Sequence, residues 1–150
     1  MKRLTVVSLI LLSLNANAEQ LSLDVGIYTK HINSGQNRNE DNKLIAIEYM
    51  NGNHGVHASS FTNTYNNQSY TVGGSYVPFR YKYAEFGVLY GVVSGYKKGQ
   101  LPVIIFSDIG LYIAPRLTLK YDITESLTIK SSAQLFGNAI VTSVGVQFKW

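Results

Sequence analysis

The sequence predicts an all-β protein, an eight-stranded antiparallel up-and-down transmembrane β-barrel. Three observations support this prediction. The first residues have the features of a secretory signal, the remainder of the 150-residue chain alternates apolar with polar residues, and the final strand ends on Trp150. Alternation gives a barrel strand one lipid-facing side and one lumen-facing side, whereas a membrane helix needs about 20 consecutive apolar residues.

Residues 1–18 are predicted to be a signal peptide. Two basic residues lie near the start, and an apolar run over residues 6–14 precedes Ala16-Asn17-Ala18, whose small residues are typical of a cleavage site. We therefore expect cleavage after Ala18. The mature chain, residues 19–150, is expected to form one domain in the bacterial outer membrane.

The composition excludes several classes of function. Two of the 13 Lys and Arg residues lie in the signal, so the mature chain carries 11 bases against 9 acids, a net charge of +2. A charge this small and this dispersed does not predict a nucleic-acid partner. The chain has no cysteine, which excludes disulfides and thiolate sites. His54 and His57 have no acidic neighbour in the sequence, so we expect no metal site and no cofactor.

The strands are predicted from period-two alternation between turn-rich segments. Alternation is clearest from Ile109 to Tyr121, where every odd residue is apolar or aromatic. This run exceeds the about 5–6 residues of a typical soluble strand and favours a tilted membrane-crossing strand. An even number of strands places both termini in the periplasm. The predicted strands are 21–32, 43–51, 55–64, 69–78, 84–96, 103–120, 127–135 and 139–150.

The opposite parity assigns residues to the lumen. In its periplasmic half, we expect charged residues of both signs to pair and plug the barrel: Asp24, Glu48, Glu85, Arg116, Lys120, Lys130 and Lys149. In its extracellular half, the residues of lumen parity either pack the barrel top or line an acyl-chain pocket: Tyr28, Ile32, Leu44, Ala46, Leu89, Val93, Ile104 and Phe106. Because side chains just fill an eight-stranded barrel, an open pore is not expected.

Several local motifs, taken in order, resemble those of the lipid A palmitoyltransferases (PagP-like barrels). They are His31 at the top of the first strand, His54-Gly55 before the third, the Phe61 to Asn66 segment at its far end, the Leu101 to Ile105 run that opens the sixth, and the aromatic last strand. The resemblance implies an outer-membrane enzyme that moves a palmitoyl chain from a phospholipid to lipid A. It also implies a catalytic His, Asp and Ser at the extracellular rim, above a hydrophobic well.

By this resemblance the catalytic positions fall on His31 as the base, Asn63 as the orienter and Thr64 as the nucleophile. Asn63 and Thr64 stand where the family has Asp and Ser, and an amide cannot stabilise an imidazolium as a carboxylate does. The residues themselves allow two interpretations. The three side chains meet as an acyl-transfer site at an exposed rim, or they form a hydrogen-bonded rim of ordinary loop residues.

The sequence therefore predicts a monomeric outer-membrane barrel that binds outer-leaflet lipids (phospholipid and lipid A), with acyl transfer left open. The alternatives are a non-catalytic surface barrel with a structural, protective or exclusion role, encoded by a host or a bacteriophage, and a small-solute transporter. The terminal spacing of Gly145, Phe148 and Trp150 is typical of the signal recognised by the barrel-assembly machinery, which we expect as a partner.

Overall fold

A computed structural model describes residues 20–32, 38–97, 100, 105–106 and 109–150. The predicted signal peptide and Ile104 lie outside these residues. The described chain is all-β, in agreement with the prediction. Its strands are β1 (Gln20–His31), β2 (Ile45–Asn51), β3 (His54–Thr62), β4 (Gln68–Tyr81), β5 (Ala84–Ser94), β6 (Ile105–Phe106), β7 (Ile109–Asp122), β8 (Leu127–Phe136) and β9 (Ala139–Lys149).

The strands pair antiparallel in the order β5-β4-β3-β2-β1-β9-β8-β7, and β5 also pairs with β7, which closes an eight-stranded barrel. Closure leaves none of these strands with an unpaired edge, as a sheet in lipid requires. Both described chain ends, Gln20 and Trp150, lie at the lower end of the barrel. We call the opposite end, which carries the connections from β1 to β2 and from β3 to β4, the upper end.

The outer surface of the barrel is apolar. On β7 the odd residues point outward, and Ile109, Leu111, Ile113, Leu117 and Leu119 are all exposed, Ile113 by 72%. Across the barrel, Val25 of β1 and Ile45 of β2 are exposed by 52% and 66%. A water-soluble monomer rarely exposes a continuous apolar surface of this extent, whereas a lipid-facing barrel requires it. No helix of the described chain has the length and apolar character that crossing a bilayer requires.

The predicted sixth strand, 103–120, was wrong at its beginning. Ile105 pairs with Gly110 and Phe106 pairs with Ile109, so the chain reverses direction between β6 and β7. The barrel strand therefore begins at Ile109. The alternation breaks at Ser107-Asp108, where two polar residues follow the apolar run that ends at Phe106, and this pair was the sequence signal for a strand boundary.

A register shift in β1 overturns the predicted lumen position of Tyr28 and Ile32. The pairing of β1 with β9 is irregular between Gly26 and Tyr28, so the side chains after this point change faces. Tyr28 and Ile32 are each 42% exposed, whereas Thr29 is buried. Tyr28 and Ile32 consequently belong to the outer surface and cannot line an internal pocket.

Candidate functional site

Ion pairs fill the lower half of the lumen. Both Oε atoms of Glu48 on β2 accept from the Arg116 guanidinium on β7, at 2.8 and 2.9 Å. Lys130 Nζ lies 2.9 Å from Asp24 Oδ2 and 3.4 Å from Glu48 Oε2. These residues come from four strands, and β2 lies opposite β7 in the barrel, so the pairs cross the lumen.

Further pairs lie closer to the lower end. Glu85 Oε1 accepts from Lys120 Nζ at 2.7 Å and from Arg80 Nε at 2.9 Å, and Lys149 Nζ donates to Asp122 Oδ1 at 2.6 Å. All seven charged residues assigned to the lumen thus take part in ion pairs, which confirms the predicted plug. Buried charges of opposite sign stay ionised when they are paired and hydrogen-bonded in this way.

Above the plug lies an inner chamber of about 510 Å³, including space open to solvent. Most of its lining residues carry polar or charged groups, among them His57, whose Nε2 is hydrogen-bonded to the Tyr112 hydroxyl. Ala46 also lines it, together with Ser59, Thr71, Ser132 and Ser143. Hydroxyl and charged groups of this kind hold water better than a hydrocarbon chain. The chamber therefore adds charged and hydroxyl groups to an apolar surface, and it differs in this from the apolar well that the resemblance implies.

A cluster of aromatic rings, which we call the aromatic partition, separates this chamber from the upper end. The Phe136 ring lies 5.9 Å from Phe61, 6.3 Å from Tyr96 and 5.1 Å from Tyr112, measured between centroids. Leu89, Val93 and Ala114 are buried in the same cluster. Because Phe136 lines the cavities on both sides, its ring is part of the wall between them.

Above the aromatic partition, a second cavity opens toward the upper end; we call it the outer pocket. It encloses about 580 Å³, including space open to solvent. Its apolar floor and walls contain Leu44, Phe61, Tyr96, Phe136, Ala139 and Val141. Its polar residues include Thr29, Arg38, Asn39, Asn42, Thr62, Asn63, Thr64, Gln134 and Asn138. The pocket therefore combines aromatic surface, amides and hydroxyls with a single charged side chain, Arg38, among its described lining residues.

His31 is 6% exposed and does not lie at an exposed rim as expected. Its Nε2 lies 3.1 Å from the Asn39 carbonyl oxygen, which can only accept, so Nε2 carries the proton of that bond. Its Nδ1 is buried without a partner among the described residues. His31 is also not among the described residues that line the outer pocket.

Asn63 has the environment of the second interpretation, a residue hydrogen-bonded within its own turn. It is 2% exposed, and its amide donates to Ser69 Oγ at 2.9 Å and to the Gly95 carbonyl at 2.7 Å. Its Oδ1 accepts from the Tyr65 and Asn67 backbone N–H groups at 2.8 and 3.1 Å. The side chain is therefore fully engaged in the turn between β3 and β4, which is a common role for Asn.

The three predicted catalytic residues are not joined into a relay in the described structure. No hydrogen bond links the side chains of His31, Asn63 and Thr64 to one another, and Asn63 has no free amide group to orient a His. Asn39 connects His31 with the turn that holds Asn63. Its backbone carbonyl accepts from His31 Nε2, and its Nδ2 donates to the Asn63 carbonyl at 3.2 Å. The structure therefore favours the hydrogen-bonded rim; the catalytic roles stay predictions.

The predicted acyl-pocket residues are divided by the structure. Leu44, Leu89 and Val93 are inside the barrel, at 7%, 7% and 1% exposure. Leu89 and Val93 pack the aromatic partition and do not line the outer pocket. Ile104 lies outside the described residues, and for Phe106 the backbone alone is described. Leu44 is thus the one described member of the predicted set that lines the outer pocket.

Sequence reasoning missed Arg38, Gln134, Phe136 and Asn138, which line the outer pocket. Arg38 and Asn138 lie in connections, where alternation assigns no face. Phe136 and Gln134 end β8, and the Gly137-Asn138 turn was the signal that they lie at the upper end. Within the described residues, no group of three or more His, Asp and Glu side chains is arranged to hold a metal ion.

Two titratable groups of the upper connections have shifted pKa values. The Tyr28 hydroxyl donates to Glu40 Oε2 at 2.5 Å and, with Lys30 nearby, lowers the pKa of this exposed carboxyl. Burial raises the pKa of Tyr96, which keeps its hydroxyl protonated at the edge of the outer pocket. Neither group therefore changes charge near neutral pH.

Comparison with known proteins identifies the fold. No family model matches the chain, and no curated protein matches it. Neisserial surface protein A matches with a TM-score of 0.50 and 14% identity, over 87% of this chain and 96% of that one. Ail, the attachment invasion locus protein of Yersinia pestis, matches with a TM-score of 0.46 and 16% identity, over 89% and 99% of the two chains. The outer membrane protein AlkL matches with a TM-score of 0.44 and 14% identity, over 89% and 90%. At these identities the comparison bears on fold alone: the chain has the fold of a small outer-membrane β-barrel.

Proposed function

We propose that this protein is a surface barrel of the bacterial outer membrane that binds a ligand at its extracellular end without transporting it. One observation carries the proposal: a pocket open at the upper end lies above a lumen that ion pairs fill from strand to strand. A ligand can enter such a barrel from one side, and it has no route out of the other. The binding surface is then the pocket and the connections around it.

The membrane location is supported by the apolar outer surface and by the closed sheet. Heat-modifiable migration on gels and fractionation with the outer membrane are the expected results. Recovery in the soluble periplasm or in the inner membrane would contradict the location. The upper end is extracellular if both termini are periplasmic, and protease added to intact cells should then cut in the connections of the upper end.

The sealed lumen makes solute passage unfavourable. Reconstituted in planar bilayers, the protein should give no stable conductance steps, because Glu48 and Arg116 bridge opposite walls. A reproducible single-channel current from the purified protein would overturn the proposed function. Protein denatured before reconstitution serves as the blank.

Acyl transfer to lipid A is the competing proposal that the resemblance implies. Thr64 lies beside the outer pocket, which supports it, but Asn63 is held by its own turn. Mass spectrometry of lipid A from cells that express the protein separates the two. We expect unmodified lipid A from the wild type. An added acyl chain that disappears with His31→Ala or Thr64→Ala would establish the transferase instead.

We further propose that the barrel-assembly machinery recognises the last strand. β9 pairs with both β1 and β8, and Phe148 and Trp150 are 42% and 62% exposed on its outer side. Deletion of residues 148–150 should therefore prevent insertion. Leu23→Ala on the adjacent strand changes the same outer face without altering the terminus, and it should insert normally. Normal yield of the truncated chain would contradict this proposal.

A further inference from the structure

We propose that the outer pocket binds a small aromatic carboxylate. This inference rests on the proposed function and adds the chemical class of the ligand. It combines three properties of the described lining: aromatic rings around the cavity, one cationic side chain, and polar side chains that have no partner within the described protein.

The aromatic rings form the walls of the pocket. Phe61, Tyr65, Tyr96 and Phe136 all line it. Phe61 meets Phe136 edge to face at 5.9 Å, and Tyr65 meets Tyr96 edge to face at 6.5 Å. Faces and edges that are turned toward the cavity suit a further flat ring, because offset and edge-to-face pairs are the favoured aromatic arrangements.

Arg38 supplies the charge. It is the one charged side chain among the described lining residues, and its buried Nε has no hydrogen-bond partner among the described residues. The buried bases of the lower half differ, because Arg116 and Lys130 are both bonded to carboxylates. A guanidinium presents parallel N–H groups that match a carboxylate in a bidentate pair. Among the described residues, no carboxylate pairs with the cation of this pocket.

The remaining polar groups fall into two sets. Asn39, Asn42 and Asn63 use their side chains within the protein. In contrast, Thr64, Gln134 and Asn138 line the pocket and their side chains make no hydrogen bond to the described residues. They can bond polar substituents on a ring. An aliphatic chain would leave these groups unpaired once water was displaced, at a cost in affinity.

The shape of the cavity limits the size of the ligand. Phe136 lines both cavities and packs against Tyr112, so a long chain that extended downward would have to pass this ring. A single ring with a carboxylate and one polar substituent matches the aromatic walls, Arg38 and the free amides together. A sugar acid would satisfy the polar groups and leave the aromatic walls without an apolar partner.

Isothermal titration calorimetry on the full chain in phospholipid nanodiscs tests the inference, with empty nanodiscs as the blank. The probes are para-hydroxybenzoate, cyclohexanecarboxylate and glucuronate. We expect saturable binding of para-hydroxybenzoate and at least about tenfold weaker binding of the other two probes. Arg38→Gln should weaken binding of para-hydroxybenzoate by about tenfold or more, as loss of a charge-assisted hydrogen bond does. Phe136→Leu should weaken it by about two- to tenfold.

Two matched variants control for charge and for ring loss. Lys30→Gln removes a cation at the same end, where Lys30 is exposed and pairs with Glu40. Tyr90→Leu removes a ring from the outer surface. Both should bind like the wild type, and circular dichroism and heat-modifiability should show that every variant is folded.

The outcomes distinguish this inference from the proposed function. Equal binding of cyclohexanecarboxylate, or unchanged binding by Arg38→Gln, overturns the aromatic carboxylate. Preferred binding of glucuronate overturns it as well, but it agrees with the proposed function of a barrel that binds a ligand at its extracellular end. Absence of saturable binding by all three probes also overturns the inference. The proposed function fails separately, through conductance in bilayers or modified lipid A.

Discussion

In the lower half of the lumen, acids and bases meet in pairs that reach from one wall to the other, whereas in the upper half aromatic rings and amides surround a cavity open to solvent. Glu48 and Arg116 represent the first arrangement, at 4% and 11% side-chain exposure. Thr64, Asn138 and Arg38 represent the second. The same barrel thus encloses two different chemical environments.

The difference shows how access to water determines which charged groups need a partner from the protein. A charge deep in the barrel loses its hydration, so its partner must come from the protein. Near the open end water can reach the side chains, and Thr64 or Asn138 can remain free of protein partners. The lower half therefore supplies the seal, and the upper half keeps groups available for a ligand.

Loss of one buried charge in the lower half should have the largest effect on the stability of the barrel. Glu48→Gln leaves Arg116 without its bidentate partner and weakens the anchoring of Lys130. We expect a loss of about 3–5 kcal/mol in the free energy of unfolding, as for other broken buried pairs. Urea unfolding in lipid bilayers, followed by tryptophan fluorescence, measures it.

The matched control is Glu40→Gln at the upper end. Glu40 is exposed, pairs with Lys30 at 3.7 Å and accepts from the Tyr28 hydroxyl, so its neutralisation should change the free energy of unfolding far less than Glu48→Gln does. Equal effects of the two Glu→Gln variants would show that the lower network is not essential to stability.

Asn63→Ala should have an intermediate effect. The substitution removes hydrogen bonds to Ser69, Gly95, Tyr65 and Asn67 from a buried turn. We expect destabilisation by about 2 kcal/mol, because buried donors and acceptors lose their partners. Thr64→Ala, next in the chain, should change stability by less than about 0.5 kcal/mol, since its hydroxyl has no partner among the described residues. If the two variants lose equally little stability, the structural role assigned to Asn63 is wrong.

The smallest expected effect is a loss of local stability at the upper end at acid pH. The Tyr28 hydroxyl holds the pKa of Glu40 below its ordinary value of 4.5. The resulting stabilisation is complete above that value and is lost as the pH falls through the lowered pKa. Hydrogen exchange of the Thr29 amide, which donates to the Glu40 carbonyl at 3.0 Å, should accelerate over that range. In Glu40→Gln this pH dependence should disappear, whereas its persistence would assign it to another group.

The sequence alone determined the barrel and the polarity of most of its faces. Each strand has one face toward the lipid and one toward the lumen. The alternation of residues along the strand therefore assigns each side chain to the inside or the outside of the barrel. That is why seven luminal charges could be predicted and why all seven are found in ion pairs. The predicted bounds of β8 and β9 agree with the structure to within one residue.

Tertiary structure decided what local alternation cannot encode. The irregular pairing at residues 26–28 of β1 turns Tyr28 outward, because one unpaired residue changes the face of every residue that follows. The reversal between β6 and β7 coincides with a break in the alternation at Ser107-Asp108, but the apolar residues on either side do not show which way the chain continues. Asn63 has the residue type and position of a catalytic orienter, yet its hydrogen bonds go to the β3–β4 turn and to Gly95, 32 residues away. The sequence specifies which groups are polar, and only the closed barrel determines which of them find a protein partner and which remain free at the upper end.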